Sequence, residues 1–256
     1  MTGRRGVQVG EVARVGAADP ELLAGLEAGV AARLRRSLVV DVVHVEPDTA
    51  ADLAALPSGL FGLLVLDGVL SRRVSIGPRA SIELLGPGDV LRPWQDEHSS
   101  MSIDAGVAWR VHAPSRLALL DADFLAATTR HPTILAELAS RFVQRSHALA
   151  DRLAIAQIPR LDARLLALLW HLADRWGRRE HGRVSIPLRL CHDTLADLAC
   201  AQRPSVSLAL RELRSAGRIA RSPGGGWELF GAPLAERELH RPPPRASMAG
   251  ARLSAG

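Results

Sequence analysis

The sequence predicts an α+β protein: a β-rich N-terminal half, a long helix, and a small C-terminal module of two crossed helices closed by a β-hairpin. Three observations carry this. Between Ser37 and Leu120, short apolar runs are separated by turn dipeptides. From His131-Pro132 onward, apolar residues recur at steps of three and four. Between His192 and Phe230, two short helical patterns flank a break and lead into a Gly-rich turn between two apolar segments.

The 256 residues suffice for two ordinary domains. An apolar share of 47% with 23% charged residues predicts packed cores rather than disorder. No run reaches the length of a membrane span, and the mixed residues after Arg4 and Arg5 do not resemble a signal peptide, so no membrane partner and a cytoplasmic location are expected. All 32 basic residues are Arg. From Arg160 to Ala232 there are 12 Arg against 7 acidic residues, so this segment holds the whole formal charge of +5. A positive excess confined to one segment is the footprint expected of a phosphate-binding surface, since neutralising phosphates releases counterions. Cys191 and Cys200 cannot build a disulfide framework or a four-ligand metal site, and read as structural thiols.

Residues up to about Asp19 lack a clear period and are expected to be loose, as is the Pro-rich end from 233 to 256. Leu38–Val45, Leu63–Leu66, Val69–Ile76, Ser81–Leu85 and Trp109–Leu120 read as strands, the last with a break at Pro114. Turns are expected at Asp67-Gly68, Gly77-Pro78 and Gly86-Pro87-Gly88-Asp89, and a sandwich or roll is the natural closure. The helix from about 131 to 158 carries an apolar stripe of Leu135, Leu138, Phe142, Leu149 and Leu153, flanked by Arg141, Arg145, Asp151 and Arg152. That stripe is the candidate seam of a two-helix coil, with burial in its own domain as the alternative. Pro159 ends this helix, and Leu161–Trp176 forms another, capped at Gly177. Domain bounds of 20–130, 131–158 and 159–232 follow.

His192–Ala199 and Gln202–Leu210, separated by Cys200-Ala201, have helix-turn-helix grammar: Leu195, Leu198, Val206, Leu210 and Leu213 anchor the pair, and Ala196 and Ala199 permit a close crossing. Pro204 suits a first helical turn and leaves Gln202 and Arg203 at the exposed start of the second helix. A guanidinium there can grip guanine O6 and N7, while Ser205 and Ser207 can bond phosphate or base edges. Arg211, further along the same helix, completes the candidate DNA-binding set. Ala220–Phe230 would form a wing, making the module a winged helix-turn-helix.

These residues resemble the DNA-binding signature of the Crp/Fnr family, the cyclic-AMP-receptor-like transcriptional regulators; Leu64-Val65-Leu66-Asp67-Gly68 and Leu85-Gly86-Pro87-Gly88-Asp89-Val90 are similar to its β-roll landmarks. The resemblance spans about residues 37 to 231 and implies a cyclic-nucleotide-binding-like β-roll sensor, a dimerisation helix, and a homodimer on palindromic double-stranded DNA, with RNA polymerase as a further partner. The effector pocket departs from the pattern. Leu91-Arg92-Pro93-Trp94 replaces the ribose-holding Glu, Ile103-Asp104-Ala105-Gly106-Val107 lacks the Arg-Ser phosphate pair, and Leu149-Ala150 stands where a Thr-Ser step touches the base. Cyclic AMP is therefore not expected. The absence of cysteine before Cys191 argues against the iron–sulfur branch. A non-nucleotide effector, or none at all, is expected, with haem on one of His44, His98, His112 or His147, or another small molecule, as alternatives. In the reading helix, the family's Arg-Glu-Thr-Val-Ser-Arg appears as Arg203-Pro204-Ser205-Val206-Ser207-Leu208, so a different target preference is expected.

An enzyme is not expected: Cys191-His192-Asp193 are adjacent at a helix start and diverge, and His171 with His192 or Asp174 has no ligand-like spacing. The remaining rival is a family member that has lost specific DNA contacts and acts by binding another protein.

Overall fold

The computed structural model describes residues 7–47, 53, 56, 60–98, 102–180 and 182–235. The chain divides into two compact units, Met1–Asp151 and Arg152–Gly256.

The first unit is built on one antiparallel sheet. Strands β1 (Val7–Arg14), β2 (Val39–Val45), β6 (Gly106–Leu120), β3 (Gly62–Ile76) and β4 (Arg79–Leu85) lie in that order, and the short β5 (Val90–Leu91) also pairs with β3. Period-two alternation sends successive side chains to two separate cores. Val40, Val42, Leu64, Leu66, Ala118 and Leu120 join Leu22, Leu34, Phe124, Ile134 and Leu138 in one. Val43, Val45, Leu63, Val65 and Leu117 join Leu70, Leu85, Leu91, Trp94 and Val111 in the other. Leu63 and Val65, before Asp67-Gly68, and Leu70, after it, meet in this second core, so β3 bends within its length and the sheet curls into a roll.

Two sequence expectations change here. Residues 7–19, expected to be loose, form β1 and a short helix, α1 (Val15–Ala18); residues 1–6 and 236–256 lie outside the described residues. Asp67-Gly68 is not a turn but a bulge inside the continuous strand β3, and Pro114 does not break β6. Gly68 has φ +95°, and a Cβ there would lie 2.1 Å from Ser115 Oγ, so the bulge requires glycine. The bulge faces Pro114, where a missing N–H costs the ladder nothing. By contrast, Gly86–Asp89 is a true turn, pinned to β3 by Gly88 N–H donating to Val65 O (2.9 Å) and Val65 N–H donating to Asp89 O (2.9 Å).

After α2 (Ala28–Ser37) and α3 (Ala122–Thr128), the long helix α4 runs from Pro132 to Ala156. Its sequence stripe divides. Leu138 is fully buried and Leu135 and Phe142 pack against the same core, so these three serve their own unit, whereas Leu149 and Leu153 are exposed. Arg141 and Arg145, expected on the flanks of a coil, also turn inward. Arg141 pairs with Asp19 and with Glu137 (3.0 Å) and donates to Gly88 O. Arg145 grips Glu83 (2.7 Å) and donates to Val90 O (3.2 Å). Such buried guanidinium–carboxylate pairs contribute register more than net stability, because stranding one partner costs about 3–5 kcal/mol while the intact pair nearly breaks even.

In the second unit, α5 (Leu161–Trp176) presents Leu165, Leu166, Leu168, Leu169 and Leu172 to the core. Gly177 ends it in extended rather than left-handed backbone; glycine is needed because a Cβ would stand 2.3 Å from Ala173 O. A four-stranded sheet follows, ordered β7 (Arg178–Glu180), β8 (Arg183–Ile186), β10 (Trp227–Phe230) and β9 (Ile219–Arg221). The β9–β10 hairpin is the expected wing. The β7–β8 hairpin is an addition that the sequence pattern does not predict. No helix among the described residues is long and apolar enough to cross a membrane.

Candidate nucleic-acid interface

Two helices between the sheet's two hairpins form the site: α6 (His192–Leu198) and α7 (Arg203–Ser215). Leu195 and Leu198 of α6, and Val206, Ala209, Leu210 and Leu213 of α7, are buried. The link between the helices is tight. Cys200 adopts φ +50°, a left-handed conformation that bulky residues rarely take, and Ala201 N–H reaches back to Ala196 O (2.9 Å). From α5, Arg164 donates to Ala199 O (3.1 Å), satisfying a carbonyl at the end of α6.

The start of α6 is capped by sulfur. Cys191 Sγ accepts from Thr194 N–H at 3.5 Å and lies 3.1 Å from Thr194 Oγ1. Burial would push the thiol's pKa up, but the hydroxyl and amide of Thr194 outweigh it and hold the group below its usual range. A thiol is a weak cap; the hydroxyl of Thr194 makes it serviceable.

The buried residues of α7 recur at three- and four-residue steps and define one stripe. By the helical repeat, Pro204, Leu208, Arg211 and Ser215 fall roughly opposite it, and all four are exposed. Gln202, Arg203 and Ser205 are exposed as well. Arg203 is not packed into its domain: its side chain is 67% exposed and meets Asp193 at 3.3 Å across solvent, a pair that an incoming phosphate or base edge can displace. Ser207 differs from the expectation of a free hydroxyl. It is half-buried, 2.8 Å from His192 Nδ1 at the start of α6.

Around these helices lies a field of guanidinium groups that motif reading did not single out. Arg221 of the wing stacks on the Trp227 ring (3.8 Å to the centroid) and donates to Gly225 O (2.8 Å) and Leu190 O (3.0 Å). Arg189 donates to Gly224 O (2.9 Å). With Leu190, Cys191, Pro223, Gly224 and Gly225, these two line an open cleft of about 400 Å³. Burial and the neighbouring Arg214 lower the pKa of Arg221. Burial, then Arg221, Arg214 and Arg203, likewise lower that of His192. The mutual repulsion marks a surface short of negative charge, to which a polyanion would bring the missing counter-charge. The only signal of this in the sequence is the local excess of arginine.

Among the described residues, no group of three His, Cys, Asp or Glu side chains could hold a metal. Of the four histidines weighed for haem, His44 is bonded to Glu11 and His112 to Ser71 (2.8 Å), His147 is exposed on α4, and the side chain of His98 lies outside the described residues.

The depressed pKa of His192 has a stability consequence with a definite sign. The unfolded chain takes the proton first, so the contribution of the neutral imidazole is complete above pH 6.5, the ordinary histidine value, and is lost as pH falls below it toward the folded pKa. An NMR titration is expected to place the His192 midpoint below 6.5, and His192→Asn should make chemical stability less sensitive to acid than in the unmodified chain; a midpoint above 6.5 would contradict the cationic surroundings described.

Comparison with known proteins agrees with this geometry. Residues 163–229 match the Crp-like helix-turn-helix domain. No curated protein matches the chain in sequence. Among solved structures, 113 chains match. A transcriptional regulator of the CRP family from Thermus thermophilus has 19% identity and a TM-score of 0.53, covering 73% of this chain and 90% of that one. A CRP/FNR-family regulator from the same organism has 22% identity and a TM-score of 0.50, over 74% and 93%. The c-di-GMP-responsive global regulator CLP of Xanthomonas campestris has 17% identity and a TM-score of 0.52, over 75% and 94%. At these identities the likeness is one of fold: a sheet-based N-terminal domain, a long helix and a C-terminal helix-turn-helix.

Proposed function

We propose that this chain is a DNA-binding transcriptional regulator of the Crp/Fnr type that inserts α7 into the major groove of a palindromic site as a homodimer. The observation that carries this reading is the outward face of α7, with Gln202, Arg203, Ser205 and Arg211 exposed and with Arg189, Arg214 and Arg221 adding positive charge to the same module. An exposed guanidinium at the helix start has the reach for guanine O6 and N7, and Ser207 contributes through its bond to His192. Arg189 and the wing's Arg221 sit where phosphate contacts would fix register without reading sequence. Loss of DNA contacts in favour of protein binding is disfavoured, since that reading gives no role to a solvent-exposed Arg203.

The dimer seam is placed not on the Leu135–Leu138–Phe142 edge, which is occupied by the chain's own core, but along an exposed flank of α4. Ala136, Ala139, Val143, Ser146, Ala150 and Leu153 are all uncharged and exposed, and are spaced alternately three and four apart. That is a heptad seam whose small residues permit close approach of two helices. Leu149 borders it.

For the sensor half, a cyclic-AMP-independent effector is the better reading. Arg145, which faces a cleft of about 280 Å³ with Arg72, Arg92, Trp109 and Phe142, is already committed to Glu83 and Val90 O, and no Arg-Ser phosphate pair occurs at 103–107. RNA polymerase is the protein partner such a regulator would address, and the cytoplasm its location.

Selection of bound sequences from a random duplex pool tests the reading. The full chain should enrich a palindrome whose half-sites lie about one helical turn apart, and Arg203→Ala should relax preference at one base pair per half-site, a loss of roughly 1–3 kcal/mol in discrimination. Unchanged selection by that variant would remove Arg203 from the interface. For the seam, Val143→Glu is expected to shift the protein from dimer to monomer in sedimentation; an unaltered dimer would place the interface elsewhere.

A further inference from the structure

Leu208 is 48% exposed, whereas Val206, Ala209, Leu210 and Leu213 of the same helix are at most 6% exposed. A lone apolar side chain on a surface is ordinary. Its position here is not. Leu208 lies near the middle of α7, roughly opposite the buried stripe, one turn after Pro204 and one turn before Arg211. Pro204 and Leu208 thus form an apolar strip along the outward face of a helix that also exposes Arg203, Arg211 and Arg214.

We propose that Leu208 reads the 5-methyl group of a thymine, making an apolar, base-specific contact between the polar contacts of Arg203 and Arg211. The inference rests on the reading that α7 enters the major groove. There, the thymine methyl is the one apolar group that projects from the base edges; cytosine offers only a flush C5–H, and the other edge groups are hydrogen-bond donors or acceptors. A leucine pressed against a guanine or cytosine edge would strip water from such groups and return no hydrogen bond. Against thymine, it covers a methyl group and gains the free energy of burying it.

The neighbouring polar groups leave this level of the groove to Leu208. Ser207, beside it on the helix, is half-buried and has its Oγ 2.8 Å from His192 Nδ1. Arg203 enters from the helix start, on the flank that also bears its Asp193 contact. The surrounding cationic field supplies affinity for the duplex, and the hydrocarbon ridge supplies a preference for thymine at one base pair in each half-site.

The test replaces thymine by deoxyuridine, which removes the methyl and nothing else, at each thymine of the selected half-site in turn. The unmodified chain should bind about three- to fivefold more weakly at one such position per half-site, and Leu208→Ala should bind the thymine and uracil duplexes equally. Tight, salt-sensitive binding with no uracil sensitivity at any position, or a sensitivity that persists in Leu208→Ala, would overturn the assignment of Leu208 while leaving the proposed function standing. Absence of salt-sensitive duplex binding by the unmodified chain would overturn both.

Discussion

The packing of α7 against α5 and α6, through a stripe of four buried side chains, sets the direction in which the rest of α7 must point. Val206, Ala209, Leu210 and Leu213 leave the opposite side of the helix facing away from the domain, and the left-handed residue at Cys200 holds the helix pair in a short link. The proposed reading surface follows from that constraint. Arg203 faces water because it opens the helix in the turn that Pro204 occupies, while Val206, Ala209, Leu210 and Leu213 take the inward side. The Arg164 bond to Ala199 O and the sulfur cap at Cys191 secure the two ends of α6, so the orientation of α7 does not depend on the helix pair alone.

In the first unit, buried ion pairs serve a comparable purpose by different means. Asp19 follows α1, Glu83 lies on β4, and each meets an arginine of α4 one turn from the other: Arg141 and Arg145. Apolar contact alone would allow α4 to slide or rotate on its core at small cost. A buried guanidinium has few alternative partners, so a displacement that separated it from its carboxylate would be penalised steeply. The consequence is a fixed rotation of α4 about its axis, which leaves the uncharged stripe from Ala136 to Leu153 outward.

Much of this is legible in the sequence where local rules act alone. The strands β2, β3, β4 and β6, the span of α5, the helix-turn-helix with Pro204 in the first turn of α7 and the Gly-rich wing all follow from period, proline and turn chemistry. Legibility fails where partners distant in sequence decide. Val7–Arg14 is a strand because β2 offers it an edge. Asp67-Gly68 becomes a bulge because Pro114 stands across from it. Leu135, Leu138 and Phe142 look the same as a coiled-coil seam in one dimension, and only the position of Asp19 and Glu83 reveals which side of α4 faces home. At the candidate site, Arg203 can be named from its place at a helix start. The bond between His192 and Ser207, and the Arg221 stack on Trp227, join residues 15 and 6 positions apart in a geometry that no motif encodes.

Which groove the proposed reading face of α7 enters would decide how fully it can tell base pairs apart, and chemical interference addresses that directly. Duplexes sparsely methylated with dimethyl sulphate carry the added methyl at guanine N7 in the major groove or at adenine N3 in the minor groove. If α7 reads the major groove, the fraction that the full chain fails to bind should be enriched in N7-methylated guanine at two positions about one helical turn apart. Interference confined to adenine N3, or none at any guanine, would contradict insertion of α7 into the major groove.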